Sequence, residues 1–178
     1  MNFEVVQAEK MYQGRAFDVE KVTMRLPDGA VRPYDLVRHK DSVSIVPLDE
    51  QGNILFVRQY RIGTGETLLE LPAGVMEDGE EALSSAEREI REETGMGARE
   101  MKVLGDYYLA PGYCNERMVA FLATGLYPDR LAHDVDEFLE VEALPAARAY
   151  ELAFSGGIRD SKSLAALLLA RPYIFPPR

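Results

Sequence analysis

One stretch constrains this chain more than any other: "GVMEDGEEALSSAEREIREETGM", Gly74 to Met96, with eight Glu and Asp in twenty-three positions. Carboxylates at this density repel one another, so the segment is either a solvated surface helix or a cradle for a cation. Asp78 can cap a helix running from about Gly79 to Thr94, with Glu81 three residues on to complete a capping box, and Gly95 can end it in the left-handed conformation. Leu83, Ala86 and Ile90 would give that helix a narrow apolar stripe. Glu89, Glu92 and Glu93 fall at i, i+3 and i+4 and share one face, which at about 100° per residue lies beside the stripe rather than opposite it. Like charges so spaced cost about 0.2–0.5 kcal/mol per pair in an isolated helix. A divalent cation would offset that cost, but so would pairing with Arg88 and Arg91, and spacing alone leaves both readings open.

The flanks supply strands. "AFDVEKVTMRL", the turn "PDG" and "AVRPYDLVRH" read as a hairpin within the first forty residues. A second hairpin follows, "SVSIVPL" and "ILFVRQY" about the turn "DEQGN". "LLELP" is a short strand broken by Pro72 and Gly74, and "MKVLGDYYLA", "MVAFLATGL" and "FLEVEAL" have strand length and composition. Two more helices are expected, one from near Pro145 to Gly156 and Gly157, the other from near Ser161 to just before Pro172. Strands on both sides of a charged helix, with helices at the end, predict a mixed sheet covered by helices.

Composition narrows the chemistry. Of 178 residues, 47% are apolar and 28% charged, the profile of a globular protein. No stretch approaches the ~20 apolar residues of a membrane span, and the N-terminus lacks the pattern of a signal peptide. A single cysteine, Cys114, leaves no internal disulfide and fits a reducing compartment, so a cytoplasmic protein is expected. The net charge of −10 argues against binding nucleic-acid backbone. It is compatible with a small phosphate-bearing ligand held by a metal and one or two arginines. With only His39 and His133 and no cysteine cluster, the expected metal is hard and oxygen-bound, Mg²⁺ or Mn²⁺ rather than zinc.

A larger pattern then decides between the two readings of the helix. Gly74, five residues, Glu80, seven residues and "REIREETGM" fill every fixed position of the Nudix box, and Gly74, Glu80, Arg88, Glu89, Ile90, Glu92, Glu93, Gly95 and Met96 all match in spacing. The chain resembles a Nudix hydrolase. The resemblance implies a Nudix-like α/β/α sandwich with a mixed sheet over residues 41–178. It also implies a small N-terminal antiparallel β extension over residues 1–40, which would serve dimerisation and the adenine pocket. Glu89 and Glu93, with Glu92 and the Ala73 carbonyl, would bind two or more Mg²⁺ or Mn²⁺ ions, while Glu80 and Arg88 would brace the loop on the helix. Glu92 and Glu93 would also take part in catalysis.

Outside the box the chain resembles the ADP-ribose pyrophosphatase branch. In "VRQYRIGTGETLLELPAG", Arg61 would contact substrate phosphates and Glu70 organise the site, although Arg61 can also be a plain strand-end arginine and Glu70 its brace. Pro111 lies fifteen residues beyond Met96, in "LAPGYCNERM", as in that branch, and Glu116 would touch the terminal ribose or a metal. Cys114 has no base partner in sequence and is expected to be a bystander thiol. The segment "AHDVDEFLEVE" matches the branch's acidic loop, with Asp134, Asp136 and Glu137 as candidates to activate the water, although Val135 interrupts the acidic run. Tyr12, Arg32 or Tyr34 would stack on the base, since the chain has no Trp. The implied activity is hydrolysis of ADP-ribose to AMP and ribose 5-phosphate by a homodimer. The alternatives are another nucleoside diphosphate sugar, such as GDP-mannose, or a domain that senses ADP-ribose without cleaving it.

Overall fold

The strand Ser42–Pro47 (β4) is buried along its whole length, and its side chains alternate between two apolar layers. Val43 and Ile45 pack with Val119, Phe121, Ala123, Ala86 and Ile90, whereas Val46 faces Phe56, Leu122, Ala149 and Leu167. This period of two, repeated in Arg117–Pro128 (β9), puts helices on both faces of one sheet. A computed structural model describes residues 1–132 and 138–176, and the chain forms two compact units, Met1–Asp41 with Tyr108–Arg117 and Ser42–Tyr107 with Met118–Arg178.

In the second unit β4 lies between β9, to which it runs parallel, and Ala73–Val75 (β7), to which it is antiparallel; Met96–Tyr108 (β8) flanks β9. A further antiparallel sheet has the order Glu140–Pro145 (β10), Asn53–Arg61 (β5) and Glu66–Glu70 (β6). Ala82–Thr94 (α1) covers one face of β4, and Ala146–Ser155 (α2) with Ser161–Ile174 (α3) covers the other core. The architecture is the mixed α/β arrangement that the sequence predicts.

Four local expectations need correction. First, α1 starts at Ala82 rather than near Gly79, and its N-cap is Glu81, which makes no side-chain cap bond. A turn closes first, with the Glu80 N–H on the Glu77 carbonyl at 3.1 Å. The Glu80 carboxylate reaches back to the Glu77 N–H and out to Arg88, so the chain is held off the helix axis there. Second, Leu83 is exposed, and the buried side of α1 is Ser85, Ala86, Glu89, Ile90, Glu93 and Thr94. Third, Pro172 sits inside α3 instead of ending it. It falls in the last turn, and Leu168, whose carbonyl loses a partner there, faces solvent.

The fourth concerns the first unit, whose antiparallel β extension has a third strand beside the two that the sequence reads. Asp18–Arg25 (β2) and Val31–Arg38 (β3) pair as expected, and Glu4–Gln13 (β1) adds an edge along β2. All ten residues of β1 are exposed, so its place comes from the backbone ladder and not from burial. After Pro111 a turn brings the Tyr113 and Cys114 N–H groups onto the Ala110 carbonyl. The Asn115 side chain then clasps the N–H and C=O of His39 at 2.9 and 3.1 Å.

Candidate active site

Pairing with β4 delivers the loop that precedes the acidic helix. Ala73 and Gly74 lie opposite Ser44 and Val43, and the Ile45 N–H donates to the Pro72 carbonyl at 2.9 Å. The acidic face of α1 packs directly beneath. A Cβ placed on Gly74 would stand 1.9 Å from the Glu89 carboxyl carbon, so only glycine lets backbone and carboxylate meet. The Ala73 N–H donates to Glu93 Oε2 at 3.2 Å. Glu89 and Glu93 are 7% and 2% exposed, a burial that a merely solvated helix face would not show. Gly95 ends the helix at φ 74°, its N–H on the Arg91 carbonyl.

Arg88 is the hub of this face. Its Nε and Nη2 donate to the two oxygens of Glu80, both at 3.0 Å, and its Nη1 donates to Glu89 at 2.6 Å and Glu92 at 2.9 Å. Nη2 also reaches the Val75 carbonyl at 3.3 Å, tying helix to loop. The hydrogen bonds from Arg88, helped by the Glu77 N–H, hold the Glu80 carboxyl well below its usual range, down to about 2, against the opposing push of burial. The same contacts raise the Arg88 pKa.

Among the described residues, no three His, Cys, Asp or Glu side chains stand as a ready-made metal cage. Arg88 brings positive charge to both Glu89 and Glu92. The donor set nevertheless suits a hard cation, because Glu89, Glu92 and Glu93 share a face and the residue 73–74 backbone is seated on it.

A second charged cluster lies at the end of β6. Glu70, 1% exposed, accepts a two-pronged contact from Arg61, Nε at 2.9 Å and Nη2 at 2.7 Å. Its Oε2 also bonds the Lys162 ammonium, itself buried. Lys162 is 3.0 Å from Asp160, the N-cap of α3. Burial alone would raise the Glu70 pKa, but the bonds from Arg61 and the charge of Lys162 outweigh it and lower it. Burial likewise opposes the charge on Arg61, and the contacts with Glu70, then the fields of Glu93 and Asp160, raise its pKa. Arg61 is thereby linked electrostatically to the acidic face of α1.

The second unit thus gathers Ala73, Gly74, Glu80, Arg88, Glu89, Glu92, Glu93, Gly95, Arg61 and Glu70. Pro111 and Glu116 belong to the first unit, where Glu116 Oε1 is 3.7 Å from His39 Nδ1. Cys114 is a buried free thiol whose sulfur accepts the Glu116 N–H at 3.4 Å. Tyr12, Arg32 and Tyr34 all stand exposed on the N-terminal sheet. Asp134, Asp136 and Glu137 lie outside the described residues. None of the described helices is long and apolar enough to cross a membrane.

Lys162 and Asp160 were not anticipated. In "RDSKS" they look like an ordinary solvated helix start, although Asp two residues before Lys at an N-cap is a legible signal that the turn is ordered. The Glu70 partner of Lys162 lies ninety-two residues away, and no local pattern connects the two.

Comparison with known proteins agrees with this geometry. The NUDIX domain model matches residues 38–167. An ADP-ribose pyrophosphatase of Mycobacterium tuberculosis is 36% identical over 94% of this chain and 82% of its own length. An ADP-ribose pyrophosphatase of Bacillus subtilis is 31% identical over 92% and 90%. A crystal structure of an ADP compounds hydrolase superposes with a TM-score of 0.88 at 28% identity, covering 98% of this chain and 95% of that one. With its box seated on β4 and its glutamates buried beneath Gly74, the chain belongs to the Nudix hydrolases, the family whose domain spans it from Arg38 to Leu167.

Proposed function

We propose that the protein hydrolyses the pyrophosphate of ADP-ribose, giving AMP and ribose 5-phosphate. The observation that carries this reading is a buried carboxylate face on α1, seated against the residue 73–74 backbone, in one compact unit with Arg61. Carboxylates suit divalent metal, and an arginine at their side suits the phosphate oxygens that metal also attracts. The names of the two bacterial relatives, similar along most of their length, favour ADP-ribose among the nucleoside diphosphate sugars.

Nudix enzymes generally work with divalent metals. Glu89, Glu92, Glu93 and the Ala73 carbonyl would hold Mg²⁺ or Mn²⁺, two or more ions per site. Bound there, such ions neutralise phosphate oxygens and lower the pKa of a coordinated water. Arg61 binds and orients the pyrophosphate, held in line by Glu70. Arg88 and Glu80 fix the loop that carries Ala73. A carboxylate among Glu92, Glu93, Asp136 and Glu137 takes the proton of the attacking water. Pro111 and Glu116, in the first unit, would be substrate-binding residues.

The chain acts as a homodimer in this reading. Its edge strand β1 leaves Val5, Val6, Met11 and Tyr12 exposed, a surface that a second copy would cover. Tyr12, Arg32 or Tyr34 then supplies the flat partner for adenine.

Purified protein with Mg²⁺ and a panel of nucleoside diphosphate sugars provides the test. ADP-ribose is expected to be cleaved best, with release of AMP, and Glu93→Gln to abolish turnover. Preference for GDP-mannose would move the substrate and leave the chemistry. Tight binding of ADP-ribose without cleavage would make the protein a sensor and overturn the proposal. Sedimentation of a fully active monomer would remove the shared pocket.

A further inference from the structure

The Glu70 carboxylate is enclosed by two cations of different character. Arg61 reaches it from one edge of its guanidinium and keeps 38% of its side chain exposed, whereas Lys162 is 10% exposed. Arg61 alone would suffice to neutralise a buried carboxylate, and a buried ammonium is itself costly to desolvate. The second cation therefore calls for an explanation.

We propose that Lys162 is a positioning residue for pyrophosphate binding: it takes up the charge of Glu70, so that Arg61 is held in place without being neutralised. This rests on the reading above that Arg61 meets the substrate's phosphates.

The surrounding contacts fix Lys162 for that task. Asp160 caps α3, accepting from the Ser163 N–H at 3.0 Å and the Ser163 hydroxyl at 2.5 Å. Its charge is directed to the helix end as well as to Lys162. The Ser163 hydroxyl oxygen accepts the Leu71 N–H at 2.7 Å, and the Tyr107 hydroxyl donates to the Lys162 carbonyl at 2.8 Å. The start of α3 is thus clamped to the end of β6, and the ammonium points at Glu70 with little freedom. Without Lys162 the cluster of Arg61, Glu70 and Asp160 is left with one carboxylate charge in excess, and the Glu70 carboxylate draws more fully on Arg61. An anion then has to compete with a buried carboxylate for the guanidinium.

The test measures KM and kcat for ADP-ribose, and the Kd of its uncleavable α,β-methylene analogue, in four variants. Lys162→Met is expected to weaken analogue binding and raise KM by about tenfold or more, the scale of one charge-assisted hydrogen bond, with a much smaller change in kcat. Arg61→Ala should weaken binding by a similar factor, and the double variant Lys162→Met/Arg61→Ala by no more than either alone. Lys162→Met/Glu70→Gln should recover most of the lost affinity, because a neutral amide no longer captures Arg61. Thermal unfolding of each variant separates this from loss of fold. If Lys162→Met adds its loss in full to that of Arg61→Ala, or Glu70→Gln restores nothing, Lys162 is only a structural clamp and the proposal fails. If Arg61→Ala binds the analogue as tightly as the wild type, the phosphate role of Arg61 fails with it. Cleavage of a different nucleotide sugar would overturn only the substrate reading, and the same four variants would be read with that sugar.

Discussion

Gly74 and Glu89 are in such close apposition that a methyl group on residue 74 would fall 1.9 Å from the Glu89 carboxyl carbon and 1.9 Å from one of its oxygens. Neither side can yield easily. Gly74 is hydrogen-bonded into register with Val43 of the central strand, and Glu89 is buried and held by Arg88 at 2.6 Å. Gly74→Ala should therefore displace the carboxylate, costing about 1–3 kcal/mol of stability as overpacking does. Turnover should fall by about a hundredfold, the scale of a misplaced catalytic group. Melting curves and steady-state rates check it; a variant as active as the wild type would mean that Glu89 has no fixed position in the reaction.

The Glu80–Arg88 pair sets a pH dependence. The folded-state pKa of Glu80 is depressed from the ordinary 4.5 to about 2, so its stabilisation is complete above about pH 4.5 and is lost as pH falls toward 2. In Glu80→Gln this contribution is missing at every pH. The melting temperature of the wild type should exceed that of the variant most at neutral pH, and the gap should narrow through the window from 4.5 to 2. A gap that stays constant with pH would show that Glu80 is not a charged partner of Arg88.

The site was legible in the sequence wherever a single helix's own periodicity builds it. Glu89, Glu92 and Glu93 share a face because of their spacing, and Gly74 and Glu80 stand at fixed distances from them along one continuous loop and helix. The strands of the core were legible for a similar reason, since "SVSIVP" and "MVAFLATGL" are dense in β-branched and apolar residues. What escaped depends on contacts between distant segments. The start of α1 is set by Glu80 turning to Arg88, and a capping pattern at Asp78 carries no information about that. Strand β1 is held by its ladder to β2 with no buried face, so it leaves no hydrophobic rhythm to read. Lys162 becomes meaningful only once α3 is folded against Glu70.

Ser163 joins β6 to α3 through one oxygen. Wholly buried, it accepts the Leu71 N–H at 2.7 Å while donating to Asp160 at 2.5 Å. Ser163→Ala leaves a buried backbone N–H without its acceptor, which costs about 1–3 kcal/mol. Chemical denaturation should show that loss as a lower midpoint at unchanged slope. Ser163→Thr keeps the oxygen and should lose less, provided the extra methyl finds room. If Ser163→Ala matches the wild type in midpoint, the clamp between the two elements is not held by this hydroxyl.

Arg88 brings positive charge to Glu80, Glu89 and Glu92 together, so its removal should have one sign without metal and a distinguishable one with it. Arg88→Met removes a cation that three carboxylates share, two of them with side chains no more than 14% exposed. In metal-free buffer with chelator the variant should be destabilised by about 2–3 kcal/mol, on the lower side of what breaking a buried pair costs because Arg88 keeps 24% of its side chain exposed. Adding Mg²⁺ should then raise the melting temperature of the variant by more than it raises that of the wild type, since a cation at Glu89 and Glu92 no longer competes with the guanidinium for the same oxygens. Thermal scans across a Mg²⁺ titration measure both effects in one experiment. Equal gains in the two proteins would show that arginine and metal do not share those oxygens. The acidic face would then take up its cation beside Arg88 rather than in its place.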